Sequence, residues 1–180
     1  MKSAIARKLK LIWLDEVVFT KTTNLTHAWS KSRTNIHVPC EAMGASYTAV
    51  IASISEGCGF ELIELHDKAV DENIFSAFLY NLHAINKKNK VVIVMDNLSA
   101  HKTDLIKRQL KMLKMEYILN VPYSPEFNAI ELPFSQVKKC FKELKLQHLA
   151  NNRKFSQDEA INESFSRQSK EYVDKCIAHA

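Results

Sequence analysis

The chain has 180 residues, 46% hydrophobic and 25% charged, which is enough apolar material for one domain with a real core and too little length for two ordinary ones. No run of about eighteen apolar residues is present to span a bilayer, and Met1 to Lys10 lacks the unbroken apolar stretch of a secretory signal, so the sequence favours an intracellular protein without membrane partners. A formal charge of +5 suits a polyanionic partner without demanding one; the four scattered cysteines, Cys40, Cys58, Cys140 and Cys176, show neither CxxC nor zinc-finger spacing and read as reduced thiols.

Only three glycines occur, and no linker, repeat or low-complexity tract divides the chain. Leu11 to Phe19, rich in β-branched and aromatic residues, predicts a strand with Asp15 within it or near its end, followed by a short second one around His27 to Ser30. Tyr47 to Ile54 and Phe60 to Leu65 flank Glu56-Gly-Cys-Gly59 and predict an antiparallel hairpin. From Asp71, an N-cap residue type, Ile74, Phe78, Leu82 and Ile85 recur at helical spacing. Val91 to Met95 predicts a short buried strand.

Next, Lys102 to Lys114 reads as a helix with Ile106, Leu110 and Leu113 on one face and Lys107, Lys111 and Lys114 on another. A strand near Tyr117 to Val121 follows, and Pro122 and Pro125 force a loop. A helix from about Asn128 carries the stripe Ile130, Phe134, Val137, Phe141 and Leu144. Ser156-Gln-Asp-Glu159 is a capping-box pattern that opens one terminal helix reaching about 178, with Ile161, Phe165, Tyr172 and Cys176 on a shared face. The expected domain is single, 1–180, with a core over about 10–145. The element order predicts an α/β RNase H-like fold: a mixed five-stranded sheet, its first three strands antiparallel, flanked by helices on both faces.

Asp96 ends an apolar run, where the carboxyl end of a central strand usually carries function, and Asp15 comes from the strand expected beside it. Two carboxylates held that close repel unless a cation lies between them, and Mg²⁺ prefers oxygen donors. Glu131, with thirty-four residues between it and Asp96, comes from the helix after the proline loop and would complete a site for two ions about 3.5–4 Å apart. The plainer readings are a turn-forming Asp96-Asn97 pair and an Asn128/Glu131 helix cap. Glu16 alternates to the opposite strand face from Asp15.

Leu14-Asp15-Glu16, Met95-Asp96-Asn97 with His101, and Tyr123-Ser-Pro-Glu-Phe-Asn128-Ala-Ile-Glu131 with Lys138 together resemble the catalytic core of mariner-type and bacterial insertion-sequence transposases of the DDE superfamily, over roughly 10–145. The resemblance implies Asp15, Asp96 and Glu131 as catalytic metal ligands for Mg²⁺ or Mn²⁺. It also implies cleavage of transposon ends and their transfer to target DNA by a dimer in a synaptic complex, in the nucleus of a eukaryotic host or the cytoplasm of a bacterial one. Asn-Pro-Ile-Glu of the family is Asn128-Ala129-Ile130-Glu131 here, and Phe134 stands for a usual Trp. Only fourteen residues precede Asp15, so the family's N-terminal helix-turn-helix region is expected to be absent.

Asn97, His101 and Asn128 read as supporting groups around the metal, His101 equally as a polar helix-entry residue. Lys138, Lys142 and Lys145, at +7, +11 and +14 from Glu131, predict a basic stripe toward DNA, as do Lys107 and Lys111; ordinary solvated lysine faces are the alternative. Trp13 and Trp29 read as packing residues. Two further functions stay open: a domesticated, non-catalytic DNA-binding module of the same fold, and a cellular RNase H-like nuclease.

Overall fold

A computed structural model describes residues 9–20, 47–97, 103–121, 124, 127–151 and 155–179. Its elements are β1 (Lys10–Phe19), β2 (Thr48–Ser55), β3 (Gly59–His66), α1 (Glu72–Ile85), β4 (Val91–Met95), α2 (Asp104–Met112), β5 (Glu116–Leu119), α3 (Glu131–Ala150), α4 (Gln157–Ser166) and α5 (Lys170–His179). The short strand expected around His27 to Ser30, Trp29 within it, and the prolines Pro122 and Pro125 lie outside the described residues.

The five strands form one sheet in the order β3-β2-β1-β4-β5. β1 is antiparallel to β2 and β2 to β3, whereas β4 is parallel to both β1 and β5. The expected mixed sheet with three antiparallel strands first is therefore the observed one. Gly57 and Gly59 turn the β2–β3 hairpin with φ of 75° and 74°, a region L side chains rarely adopt.

Strand alternation sorts the apolar side chains of β1 onto two cores. Trp13, Val17 and Phe19 pack with Ile130, Phe134, Val137 and Phe141, and with Ile161, Phe165 and Val173 of α4 and α5. Ile12 and Leu14 face the other way, onto Phe75, Phe78, Leu79 and Leu82 of α1 and Ile106 and Leu110 of α2. The sheet is thus covered on both faces, and each fully buried aromatic or aliphatic side chain contributes about 1.5–3 kcal/mol by leaving water. Phe141 meets Phe19 edge-on at 4.9 Å, locking α3 to β1.

Helix starts follow the sequence signals. Asp71 accepts from the N–H groups of Asn73 and Ile74 at 3.0 and 2.9 Å, and the Ile74 bond, aided by Lys68, holds its carboxyl below the usual range. Thr103 caps α2 and Ser156 caps α4. α3 begins at Glu131, three residues later than expected, with Pro133 tolerated in the first turn. The expectation of one terminal helix is corrected: Gln168 binds the Ser164 carbonyl, and the Ser169 hydroxyl accepts from the Tyr172 N–H and restarts the chain as α5. Polar side chains compete there for backbone groups and break the helix without proline or glycine. At the opposite end of the sheet from β4's carboxyl terminus, Lys10 Nζ lies 2.8 Å from both Glu61 Oε1 and Asn86 Oδ1, tying β1 to β3 and to the end of α1.

Candidate active site

β1 and β4 are parallel neighbours in a register that pairs Trp13 with Val94. Two residues further on, that offset sets Asp15 beside Asp96, just where β4 ends at Met95 while β1 continues against β2, Asp15 opposite Ala52. In-register parallel neighbours face the same side, and Trp13 and Val94 both belong to the core beneath α3. Asp15 and Asp96 therefore open toward α3. The chain leaves β1 toward β2 on one side and β4 toward β5 on the other, the kind of switch point at which open sheets carry their sites.

Asp15 is buried, 8% exposed, and both its oxygens are engaged. Oδ1 accepts from the Glu16 N–H at 2.8 Å, and Oδ2 accepts from Asn128 Nδ2 at 2.8 Å. Asn128 is therefore not a helix-capping side chain; its amide reaches across to β1, and its buried Oδ1 has no hydrogen-bond partner among the described residues. Glu131 opens α3, exposed, its N–H bonded to the Asn128 carbonyl at 3.1 Å.

The electrostatics tie these groups together. Asp15's carboxyl is pushed up to about 7 chiefly by burial; the Glu16 N–H opposes the shift, and the negative charges of Asp96, Glu131 and Glu16 add to it. Asp96 and Glu131, one from the strand end and one from a helix start, thus both act on Asp15. Among the described residues no three His, Cys, Asp or Glu side chains close to ion-holding distance. The donors fit a hard cation nonetheless: three carboxylates and the unpartnered Asn128 Oδ1 offer oxygen only, the set Mg²⁺ and Mn²⁺ take.

Asn97 follows Asp96, half-buried, and His101 and Tyr123 lie outside the described residues. Lys138 and Lys142 lie half-exposed on α3. Lys145 departs from the expected stripe: it is 2% exposed, its Nζ has no hydrogen-bond partner among the described residues, and it lies 5.9 Å from the Phe155 ring centre. Burial pushes its ammonium pKa down. At about 100° per residue, Lys145 falls within about 20° of Phe134 around α3, whereas Lys142 falls about 80° away, so spacing from Glu131 alone mis-sorts it. Lys107 and Lys111 are exposed on α2, whose apolar side packs on the other face of the sheet.

Sequence reading missed Asn120. Its N–H donates to the Met95 carbonyl at 2.8 Å, its Nδ2 to the Ser124 carbonyl at 2.9 Å, and its Oδ1 accepts from the Val121 N–H at 2.8 Å. It anchors the loop before α3 to the end of β4, beside Asp96. An Asn directly after a strand and two residues before a proline was a readable turn signal.

The sequence profile of the DDE superfamily endonucleases matches residues 10–161, a span that includes all three carboxylates. The chain belongs to this family. No curated protein matches the chain significantly. Among solved structures, the Mos1 transposase paired-end complex with left transposon end superposes at a TM-score of 0.72 and 16% identity, over 98% of this chain and 54% of that one. The catalytic domain of Mos1 mariner transposase aligns at 0.61 and 18%, over 98% and 80%, and the same catalytic domain with Raltegravir and Mg at 0.62 and 16%, over 98% and 82%. This DDE endonuclease-family chain therefore has the RNase H-like fold, and it spans about half the length of the Mos1 transposase in the paired-end complex. No helix among its described residues is long and apolar enough to cross a membrane.

Proposed function

We propose that the chain is the catalytic domain of a DDE transposase, one domain over 1–180, that cleaves and joins DNA strands with Asp15, Asp96 and Glu131 as its metal-binding catalytic residues. One observation carries the reading: a buried carboxyl held near neutrality, with two further acidic groups adding to the shift, is an arrangement that disfavours itself unless a cation is part of it. Asp15 and Asp96 would hold the ion from the sheet, Glu131 from the start of α3, and Asn128 orients the Asp15 carboxylate. Bound there, divalent ions supply activation of a water or 3′-hydroxyl and neutralise the leaving oxygen.

Lys138 and Lys142 lead away from Glu131 along α3 and would meet the flanking phosphates, giving salt-sensitive, sequence-independent affinity. The Mos1 structures, which carry Mn or Mg and transposon ends, support the same chemistry here, with a second copy of the chain in a synaptic complex. The test is nicking of supercoiled plasmid in Mg²⁺. Asp96→Asn and Glu131→Gln should each lower the rate at least about a thousandfold, about 4 kcal/mol of barrier, with unchanged thermal unfolding. Nicking that survives both changes refutes the assigned residues.

A further inference from the structure

All nine phenylalanines of the chain fall among the described residues, and eight are buried or half-buried in the cores. Phe127 is the exception, 44% exposed. It directly precedes Asn128, whose amide grips Asp15, so an exposed aromatic side chain sits one residue in sequence from the group that holds Asp15. The segment between it and Leu132 is otherwise ordered by burial: Asn128, Ala129 and Ile130 are buried, Glu131 is exposed, and Leu132 again stands 55% exposed.

Phe127 is also anchored. Its N–H donates to the Ser124 carbonyl at 3.2 Å, the same carbonyl that Asn120 Nδ2 holds, and the Asn120 N–H is bonded to Met95 at the end of β4. A chain of hydrogen bonds thus runs from Met95, the last residue of β4, to the backbone of Phe127. At 44% exposure Phe127 forgoes roughly half of the 1.5–3 kcal/mol that full burial would give, and it does so next to a site read as binding a scissile phosphate. The ligand that offers a flat apolar face next to a phosphate is a nucleotide.

We infer that Phe127 is a stacking platform for a nucleobase adjoining the scissile phosphate, fixing the strand by its base while the carboxylate site takes its backbone. The inference rests on the proposed DNA-cleaving function. Stacking of this kind reads every base alike, so it positions the strand without setting sequence preference.

The experiment uses the full chain and a DNA duplex with a single-stranded 3′ flap, carrying 2-aminopurine at successive positions around the junction, in Ca²⁺ so that bound DNA stays uncut. Binding should quench the fluorescence at one or two adjacent positions. Phe127→Tyr should keep the quenching; Phe127→Ala should lose it and weaken binding about 5- to 150-fold, with the thermal midpoint unchanged. Replacing the quenched base by an abasic site should weaken the parent protein by the same factor and Phe127→Ala no further. Quenching that survives in Phe127→Ala, or losses that multiply between protein and DNA changes, overturns the platform. Plasmid nicking in Mg²⁺, read separately, tells whether the catalytic reading fails instead: quenching without nicking would leave a base-stacking DNA-binding module.

Discussion

Asp15→Asn should make the metal-free protein more stable, and by an amount that depends on pH. Folding moves this carboxyl from 3.8 to about 7. At ~1.4 kcal/mol per pH unit, that is about 4 kcal/mol in favour of the protonated form. The sign follows from proton counting: between those two values the native state binds the proton and the unfolded state does not, so stability falls as pH rises through the window. The loss is absent below about pH 4 and complete above about pH 7. Asparagine carries no such proton, so the stability of the variant minus that of the parent should grow by about 4 kcal/mol between about pH 4 and pH 8. Urea unfolding in EDTA measures it; with an m-value of about 2 kcal/mol/M, the gap between midpoints should widen by about 2 M. Mg²⁺ at a hundred times its dissociation constant should return about 2.7 kcal/mol to the parent and far less to the variant. A gap that stays flat across the window would refute the reasoning, because the carboxyl would then be ionised in both states alike.

Asn128→Ala removes the donor to Asp15 Oδ2 and the unpartnered Oδ1 together, and should lower the turnover number of Mg²⁺-dependent nicking about 10- to 100-fold while leaving DNA affinity in Ca²⁺ unchanged. Lys145→Met replaces a buried, unpartnered ammonium by an apolar chain of similar length; it should stabilise the fold by about 1–3 kcal/mol in urea unfolding and leave DNA binding untouched. Lys138→Ala or Lys142→Ala should instead weaken DNA binding and each reduce the slope of log affinity against log salt by about 1. Phe141→Ala should cost about 3–5 kcal/mol through the cavity left against Phe19, or about 10 °C of melting temperature.

The strands and the first helices were legible in the sequence because each carries one dominant pattern: a β-branched run ending in Asp96, or a 3.6-residue stripe behind the caps Asp71 and Ser156. The family was legible too, through the frames around Asp15, Asp96 and Glu131, and the profile match over 10–161 bears out that resemblance. What stayed hidden depends on side-chain competition that pattern does not encode. Nothing in the run from Ser156 to Ile177 breaks helical periodicity, yet Gln168 and Ser169 divert the backbone. Asn128 read as a supporting group with a helix cap as the alternative, because its spacing to Glu131 allows both, and only the approach of β1 shows where its amide goes. Lys145 was misplaced because a face counted from Glu131 ignored how near its direction lies to Phe134.

The bond from Asn128 to Asp15 joins residues 113 apart in sequence. Asp15 and Asp96 likewise meet only through parallel pairing of β1 with β4, a long-range contact with a helix and a hairpin in between. Such contacts form late, after the loop-closure entropy has been overcome. A nascent or half-folded chain therefore does not yet bring Asp15, Asp96 and Asn128 together. If the proposed strand-cutting chemistry holds, recovery of nicking during refolding should lag behind recovery of helix signal by circular dichroism.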